Sequence, residues 1–238
     1  MGQGQGPQQK RAALEGLDLF QGLLSPRELD ALAELCTWRE FAKDREVVSQ
    51  DSPGNDVYFV ARGRVRVTIF AAGGQEVAFR DLGAGKSFGE LSAIDGAARS
   101  ASVVALEPSW IATLSRERFW SVLREHPSVT EQLLRQLASL VRNLTERVVD
   151  YSTLGVRNRI QAELVRMARE AGVADNKATL APLPRHADIA SRVSTNREAV
   201  ARELAELTRK GLLEKRKGGL TVVDVARLAA MVDEVRAG

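Results

Sequence analysis

The spacing of apolar and polar residues changes along the chain and divides it into regions of different character. Between Phe41 and Leu114, short apolar runs rich in β-branched and aromatic residues are separated by turns that contain glycine or proline. The clearest runs lie at 57–61, 64–70 and 109–114. Strands this short and this closely spaced predict an antiparallel sandwich or jelly roll.

The region before the strands has another composition. Residues 1–13 are rich in glycine and glutamine and predict a disordered tail. From Leu14 to Thr37, leucines at helical spacing predict short helices, and Ser25-Pro26 is typical of a helix start. We therefore expect the first folded domain to span residues 14–125.

A long helix is predicted after His126, because apolar residues form one stripe through about Ser152. The stripe comprises Leu133, Leu137, Leu140, Leu144 and Tyr151, broadened by Leu134, Val141 and Val148. A helix of roughly 25 residues is too long to pack wholly on one small barrel. Residues 126–156 therefore predict a dimerisation helix that also joins the two halves of the chain. The apolar stripe of this helix is interrupted at one heptad position by Arg147.

The last region, residues 157–238, is predominantly helical by pattern. Residues 186–193, the tripeptide Ser-Thr-Asn and residues 197–211 form a helix-turn-helix candidate. The following segment, LLEKRKGGLTVVD, predicts a basic two-stranded wing that turns at Gly218-Gly219. One more helix is expected at 225–235.

Charge is distributed unevenly between these regions. The 238 residues carry a net charge of +3, made up of −2 over residues 1–156 and +5 over residues 157–238. The C-terminal third is therefore the candidate for binding a polyanion. An ordinary solvated basic surface would have the same net charge. Charge alone therefore does not establish that this region binds a polyanion.

Several function classes are disfavoured by the composition. One cysteine and two distant histidines exclude an intramolecular disulfide and leave iron–sulfur and zinc sites short of ligands. The chain also lacks a nucleophile–base pair or paired acids, so we predict neither a metal site nor an enzyme. It has no apolar run of the ~20 residues that a membrane span requires and no signal peptide, which predicts a cytoplasmic protein without membrane partners.

The most informative stretch is FGELSAIDGAARSA at 88–101. Its glycine permits a close backbone approach to phosphate, and its carboxylate can accept a hydrogen bond from a ribose hydroxyl. The arginine and serine can bind phosphate oxygens. This pattern predicts a cyclic phosphodiester site, although a polar surface turn is the alternative. The candidate phosphate and ribose residues are Gly89, Glu90, Leu91, Arg99 and Ser100.

The second helix of the helix-turn-helix candidate has three charged residues of the kind that can contact base edges. Arg197, Glu198 and Arg202 span a 140° arc of that helix, and its apolar residues cluster on another face. Arginine pairs with guanine and a carboxylate with cytosine in the major groove. Alternatively, Thr195 and Glu198 form a capping box and the arginines are ordinary surface residues. Candidate phosphate contacts are Arg185, Asn196, Arg209, Lys210, Lys215, Arg216 and Lys217.

Both motifs, in this order, resemble those of the cyclic-AMP receptor protein (CRP/FNR) family, and the resemblance covers about residues 14–223. It implies an α+β fold: an N-terminal β-roll that binds a cyclic nucleotide, a dimerisation helix, and a winged helix-turn-helix at 157–238. It further implies a homodimer that binds double-stranded DNA at an inverted TGTGA-like repeat and contacts RNA polymerase. In the family, the ligand realigns the DNA-binding domains.

The nucleotide base is left open by the sequence. At the helix positions where cAMP receptors of the family place a Thr-Ser pair against adenine, this chain has Leu144 and Thr145. Arg80 lies where cGMP-selective domains of the wider superfamily place an arginine that contacts guanine. With Val67, these residues form the predicted purine site. The pattern slightly favours cGMP over cAMP, the alternatives being a solvated Arg80 and the same DNA-binding dimer with another effector or none.

Overall fold

The structure, a computed structural model, describes residues 6–70 and 76–237 and consists of two units, residues 1–139 and 140–238. Within the described residues, the first unit is built on eight antiparallel strands in two sheets. The strands are β1 (Thr37–Phe41), β2 (Glu46–Val48), β3 (Val57–Arg62), β4 (Arg64–Phe70), β5 (Glu76–Gly83), β6 (Ser87–Phe88), β7 (Ser102–Ala105) and β8 (Ser109–Leu114). The sheet orders are β1-β8-β3-β6 and β2-β7-β4-β5, which confirms the predicted jelly roll.

Both faces of the first sheet are buried, because its central strands alternate between two apolar clusters. Val60 and Ile111 face the second sheet, whereas Phe59 and Leu114 face a layer of helices. These helices are α1 (Pro7–Glu15), α2 (Pro26–Leu35), α4 (Arg116–Glu125) and the first part of α5 (Pro127–Thr153). A short helix, α3 (Glu90–Asp95), follows β6 and carries the start of the phosphate motif.

The N-terminal prediction needs a correction. Residues 1–5 of the predicted disordered tail lie outside the described residues, but Pro7–Glu15 form α1. Proline at the first turn favours the helix, and Leu14 is buried at its end. An ion pair of 3.0 Å between Arg11 and Asp30 ties α1 to α2. The polar composition of this segment predicted disorder. Contacts with α2 and with the core of the first unit stabilise the helix instead.

The second unit contains the last part of α5 and a three-stranded sheet among helices. Its further elements are α6 (Val156–Ala171), β9 (Ala178–Leu180), α7 (His186–Arg192), α8 (Arg197–Arg209), β10 (Leu213–Arg216), β11 (Gly219–Val222) and α9 (Val225–Ala237). The predicted two-stranded wing is β10–β11, but β9 pairs with β11 and makes a third strand. The sequence prediction missed β9 because three residues give no periodic signal. The last helix, α9, packs on α6.

The predicted long helix is present as α5, and five of the eight residues of its predicted apolar stripe are exposed on it. Leu133 is buried in the core of the first unit and Arg147 is paired with Glu163, so neither lies on an exposed seam. The exposed apolar residues of α5 are Leu134, Val141, Leu144, Val148, Val149 and Tyr151. The positions 134, 141 and 148 repeat every seven residues, so the stripe follows a heptad without the arginine.

Candidate functional site

The phosphate motif is organised around a left-handed glycine. Gly89 has a φ of 84°, between the end of β6 and the start of α3. A Cβ at this position would lie 2.6 Å from Nη1 of Arg99 and 2.8 Å from the carbonyl oxygen of Asp56. Only glycine satisfies both the backbone conformation and the close approach. The turn therefore brings two distant parts of the chain against the arginine.

Arg99 is held firmly at this turn. Its side chain is buried, Nη1 donates to the carbonyl oxygen of Gly89 at 3.1 Å, and Nη2 donates to that of Asp56 at 2.9 Å. Its Cζ lies 5.4 Å from the centre of the Tyr58 ring. The sequence predicted Arg99 but missed Tyr58 and Asp56. An apolar run such as 57–61 gives no signal that one of its aromatic residues faces a guanidinium.

Glu90, the predicted ribose acceptor, is a half-buried carboxylate. Among the described residues, its Oε2 atom is buried and has no hydrogen-bond partner. Burial raises the pKa of Glu90, and the charges of Arg80 and Arg99 act in the opposite direction. A buried acceptor without a partner is costly, and a ribose hydroxyl would satisfy it.

Arg80 lies on the interior face of the second sheet. It is directly opposite Val67 across the β4–β5 pair, and the next pair on that face, Val65 and Leu82, is buried in the core. The Nε atom of Arg80 is buried and lacks a partner among the residues that the structure describes. Arg80 is therefore half-buried, and its contact with a purine stays a prediction.

The remaining predicted nucleotide contacts are less enclosed. Ser100 and Leu91 are exposed beside the turn. Leu144 and Thr145 lie on the part of α5 that belongs to the second unit, where the Thr145 hydroxyl donates to the carbonyl oxygen of Val141 at 3.0 Å. Their approach to a purine stays a prediction.

The half-buried carboxylate leads to a first testable prediction, for Glu90→Gln. A carboxyl whose pKa is raised in the folded state makes stability fall as pH rises above its unfolded-state pKa, so replacing it should raise the melting temperature at pH 7. The same change should weaken cyclic-nucleotide binding about tenfold, because a hydrogen bond to a charged acceptor is stronger than one to an amide. Calorimetry and thermal unfolding at pH 7 measure both effects. A lower melting temperature with unchanged affinity would contradict the prediction.

The helix-turn-helix places the predicted base-reading residues together. Arg197, Glu198 and Arg202 are exposed on the first half of α8, and Arg197 Nε lies 3.1 Å from Glu198 Oε1. On the other face of α8, Val200 and Leu207 are fully buried in the unit's core. The sequence therefore predicted correctly which face of α8 is packed and which is free.

The start of α8 decides against the capping-box alternative. The side chain of Asn196, rather than Thr195, caps the helix by accepting a hydrogen bond from the Ala199 N–H at 2.8 Å. The capping box from Thr195 is therefore absent. The pKa of Glu198 is lowered by a hydrogen bond from the backbone N–H of Glu198 and, next, by the Arg197 side chain. Asn196 had been predicted as a phosphate contact, and its side-chain oxygen is engaged in the cap.

The predicted phosphate contacts are exposed, with differing partners. Arg185 and Lys215 are exposed at the start of α7 and on β10. Arg209 and Lys210 both form ion pairs with Glu206 near the end of α8. Within the wing, Arg216 pairs with Glu214 at 2.9 Å, and Lys217 is exposed at the turn. Exposed ion pairs of this kind are weak, so these cationic side chains remain able to bind a polyanion.

A buried ionic network in the second unit was not predicted. Glu163 of α6 is inaccessible to solvent and pairs with Arg147 of α5, Arg166 of α6 and Arg192 of α7 at 3.0–3.3 Å. Asp150 of α5 pairs with Arg166 at 2.6 Å, and it also accepts hydrogen bonds from Arg236 of α9. In addition, the Tyr151 hydroxyl donates to the carbonyl oxygen of Arg192 at 2.6 Å. The end of α5 is thus tied to the first helix of the helix-turn-helix.

Comparison with known proteins agrees with this arrangement. Residues 38–126 match the family model of the cyclic nucleotide-binding domain, and residues 158–231 match that of the Crp-like helix-turn-helix domain. The chain is 32% identical to the cyclic AMP receptor protein of Thermus thermophilus, over 94% of this chain and 99% of that protein. It is 26% identical to a CRP-like cAMP-activated global transcriptional regulator of Mycobacterium tuberculosis, over 89% and 94% of the two chains.

The crystal structure of the Thermus thermophilus catabolite activator protein has a TM-score of 0.52 against this structure. The match covers 93% of this chain and 99% of that chain at 32% identity. A cyclic nucleotide-binding domain joined to a Crp-like helix-turn-helix domain defines a DNA-binding transcription regulator. The chain belongs to the CRP/FNR family.

The described residues contain neither a membrane-spanning helix nor a cluster of metal ligands. Within 6–70 and 76–237, no helix has both the length and the apolar character needed to cross a membrane. The same residues contain no group of three or more His, Cys, Asp or Glu side chains placed to hold a metal ion. Cys36 is buried, and burial raises the pKa of its thiol to about 12.

Proposed function

We propose that this protein is a homodimeric transcription regulator whose affinity for DNA is controlled by a cyclic nucleotide bound in the β-roll. The observation that carries the proposal is the pair of unsatisfied buried atoms, Glu90 Oε2 and Arg80 Nε, near Arg99. Native proteins rarely leave such atoms without partners. An anionic ligand with a ribose hydroxyl and a hydrogen-bonding base would satisfy all three side chains.

Each part of the nucleotide has a proposed partner. Arg99 and Ser100 bind the cyclic phosphate, Gly89 allows its close approach, and Glu90 accepts from the ribose 2′-hydroxyl. Arg80, with Val67 beside it, faces the purine. Guanine presents the O6 and N7 acceptors that arginine prefers, whereas adenine presents an amino donor at that edge. The buried Nε of Arg80 supports cGMP as the preferred effector.

The second candidate effector is cAMP, for which the two relatives described above are named. Calorimetric titration of the purified protein with each nucleotide separates the candidates. We expect one molecule per chain, with tighter binding of cGMP. Tighter binding of cAMP would mean that Arg80 does not select guanine and that cAMP is the effector. Binding of neither nucleotide would overturn the proposed function.

Substitution of Arg80 tests its role in base selection. We expect Arg80→Ala to weaken cGMP binding about tenfold, since a bidentate arginine–guanine pair discriminates by about 1–3 kcal/mol, and to change cAMP binding much less. The ratio of the two dissociation constants is the readout. Arg62→Ala is the matched control, because Arg62 is an exposed arginine of β3 in the same unit. Equal losses for both nucleotides would make Arg80 a structural residue.

On the DNA side, we propose that α8 enters the major groove and that Arg197, Glu198 and Arg202 read a TGTGA-like half-site. The inverted repeat of such a site requires a two-fold dimer. The heptad of exposed apolar residues at 134, 141 and 148 of α5 supports dimerisation through this helix. Contact with RNA polymerase is inferred from the family alone.

Glu198→Ala tests the reading of one base pair. We expect it to reduce discrimination at the paired cytosine by about 1–3 kcal/mol, measured as the ratio of affinities for matched and altered half-sites. The melting temperature should stay nearly unchanged, because Asn196 supplies the helix cap. Asn196→Ala provides the contrast and should lower stability by about 1 kcal/mol. A marked loss of stability in Glu198→Ala, with specificity retained, would contradict this role.

A further inference from the structure

We propose that Tyr58 is a positioning residue for nucleotide binding: its ring is the platform on which the Arg99 guanidinium is fixed before the phosphate arrives. This inference rests on the proposed function, because it concerns how the phosphate-binding arginine is held. Neither residue type nor spacing in the sequence pointed to Tyr58.

The Tyr58 ring is itself held in place by a second aromatic residue. Tyr58 of β3 lies directly opposite Phe88 of β6 in the antiparallel pair. The two rings are parallel within 3°, with centroids 5.0 Å apart. Phe88 is buried in the apolar cluster between the two sheets. The Tyr58 ring therefore has a fixed orientation that the core of the β-roll determines.

Arg99 is placed against this ring and against two backbone carbonyls. Its Cζ is 5.4 Å from the ring centroid, within the range of a cation–π interaction. The bonds to Gly89 and Asp56 use two of the five N–H donors that a guanidinium carries. The side chain can therefore keep these bonds and still donate to a phosphate.

Fixing the arginine in advance has a direct consequence for affinity. Arginine is among the side chains that lose most conformational freedom when they are ordered. If the ring and the carbonyls have already ordered Arg99, the nucleotide does not bear that cost on binding. The Tyr58 hydroxyl also interacts with the Arg99 side chain. The ring is the larger contact surface, so we expect phenylalanine to retain most of the affinity.

Calorimetry of Tyr58→Leu and Tyr58→Phe tests the proposal. We expect Tyr58→Leu to weaken cyclic-nucleotide binding about ten- to thirtyfold, the equivalent of a desolvated cation–π interaction. Tyr58→Phe should stay within about twofold of the unaltered protein, because the ring is retained. If Tyr58→Leu does not fold, Tyr58→Met replaces it as a flexible apolar side chain without a ring.

A double-mutant cycle separates positioning from a general effect on the fold. In the Arg99→Ala background, where binding is followed by NMR titration, adding Tyr58→Leu should change the affinity less than about twofold. An undiminished loss in that background, or no loss with Tyr58→Leu alone, would overturn this inference while leaving the proposed function intact. Failure of the unaltered protein to bind either cyclic nucleotide would overturn both.

Discussion

Arg99→Ala is expected to weaken cyclic-nucleotide binding at least a hundredfold and to abolish the nucleotide's effect on DNA binding. Hydrogen bonds to charged groups contribute about 1.5–3 kcal/mol each, and a guanidinium can make two to one phosphate. The buried position of Arg99 beside Gly89 puts these donors at the phosphate motif. Calorimetry with cGMP and with cAMP gives the change in affinity.

The control for this substitution must separate loss of a binding group from damage to the β-roll. Arg99→Ala removes the donors for the carbonyl groups of Gly89 and Asp56, so we expect a lower melting temperature but a folded protein. Arg62→Ala removes an exposed arginine from the same unit and should alter neither property. Unchanged nucleotide affinity in folded Arg99→Ala would refute the assignment of the phosphate site.

The second large effect is expected for Glu163→Ala, which should destabilise the second unit by about 3–5 kcal/mol. The substitution leaves Arg147, Arg166 and Arg192 without the buried carboxylate that pairs with all three. A loss of this size is a large part of the total stability of an ordinary domain. Urea denaturation followed by circular dichroism measures it.

A matched control lies on the same helix. Glu170 is an exposed residue of α6, and Glu170→Ala should change stability by less than about 0.5 kcal/mol. Because Arg192 belongs to α7, we also expect Glu163→Ala to weaken DNA binding at temperatures where the protein is still folded. Equal stability of the two variants would show that the buried network contributes little net stability.

Much of the fold could be predicted because its helices and strands have clear local sequence patterns. The strands at 57–62, 64–70 and 109–114 have the alternation and flanking turns of a small β domain. The wing turns through Gly218, whose φ is 81°, at the Gly-Gly pair that the sequence singled out. The faces of α8 follow from helical periodicity alone. In each case the signal lies within a few neighbouring residues.

The errors share a different cause, since each depends on contacts between distant segments. α1 forms where composition predicted disorder because α2 and the core stabilise it. On α5, Leu133 of the predicted exposed stripe is buried, because the sequence does not reveal that it packs into the core of the first unit. At the start of α8, Thr195 and Asn196 are both residue types that cap helices well. Only the backbone conformation in the structure shows that Asn196 is the N-cap.

The residues of the phosphate motif could be singled out from the sequence but their geometry could not, and their contact with a nucleotide stays a prediction. The spacing of Gly89, Glu90 and Arg99 indicated the phosphate motif, and the structure brings them together at one turn. Tyr58 was not predicted as a site residue, because an aromatic residue in a strand usually packs in the hydrophobic core. Arg80 was left undecided by the sequence, and the register opposite Val67 placed it on the interior face.

The most direct test of the account is the affinity of the protein for a duplex with an inverted TGTGA repeat, measured with and without cyclic nucleotide. Fluorescence anisotropy at fixed salt concentration gives both values, and a duplex with scrambled half-sites corrects for non-specific binding. The account predicts that cGMP, or cAMP if the purine assignment is reversed, increases specific affinity at least tenfold. Equal affinity in the presence and absence of both nucleotides would contradict it.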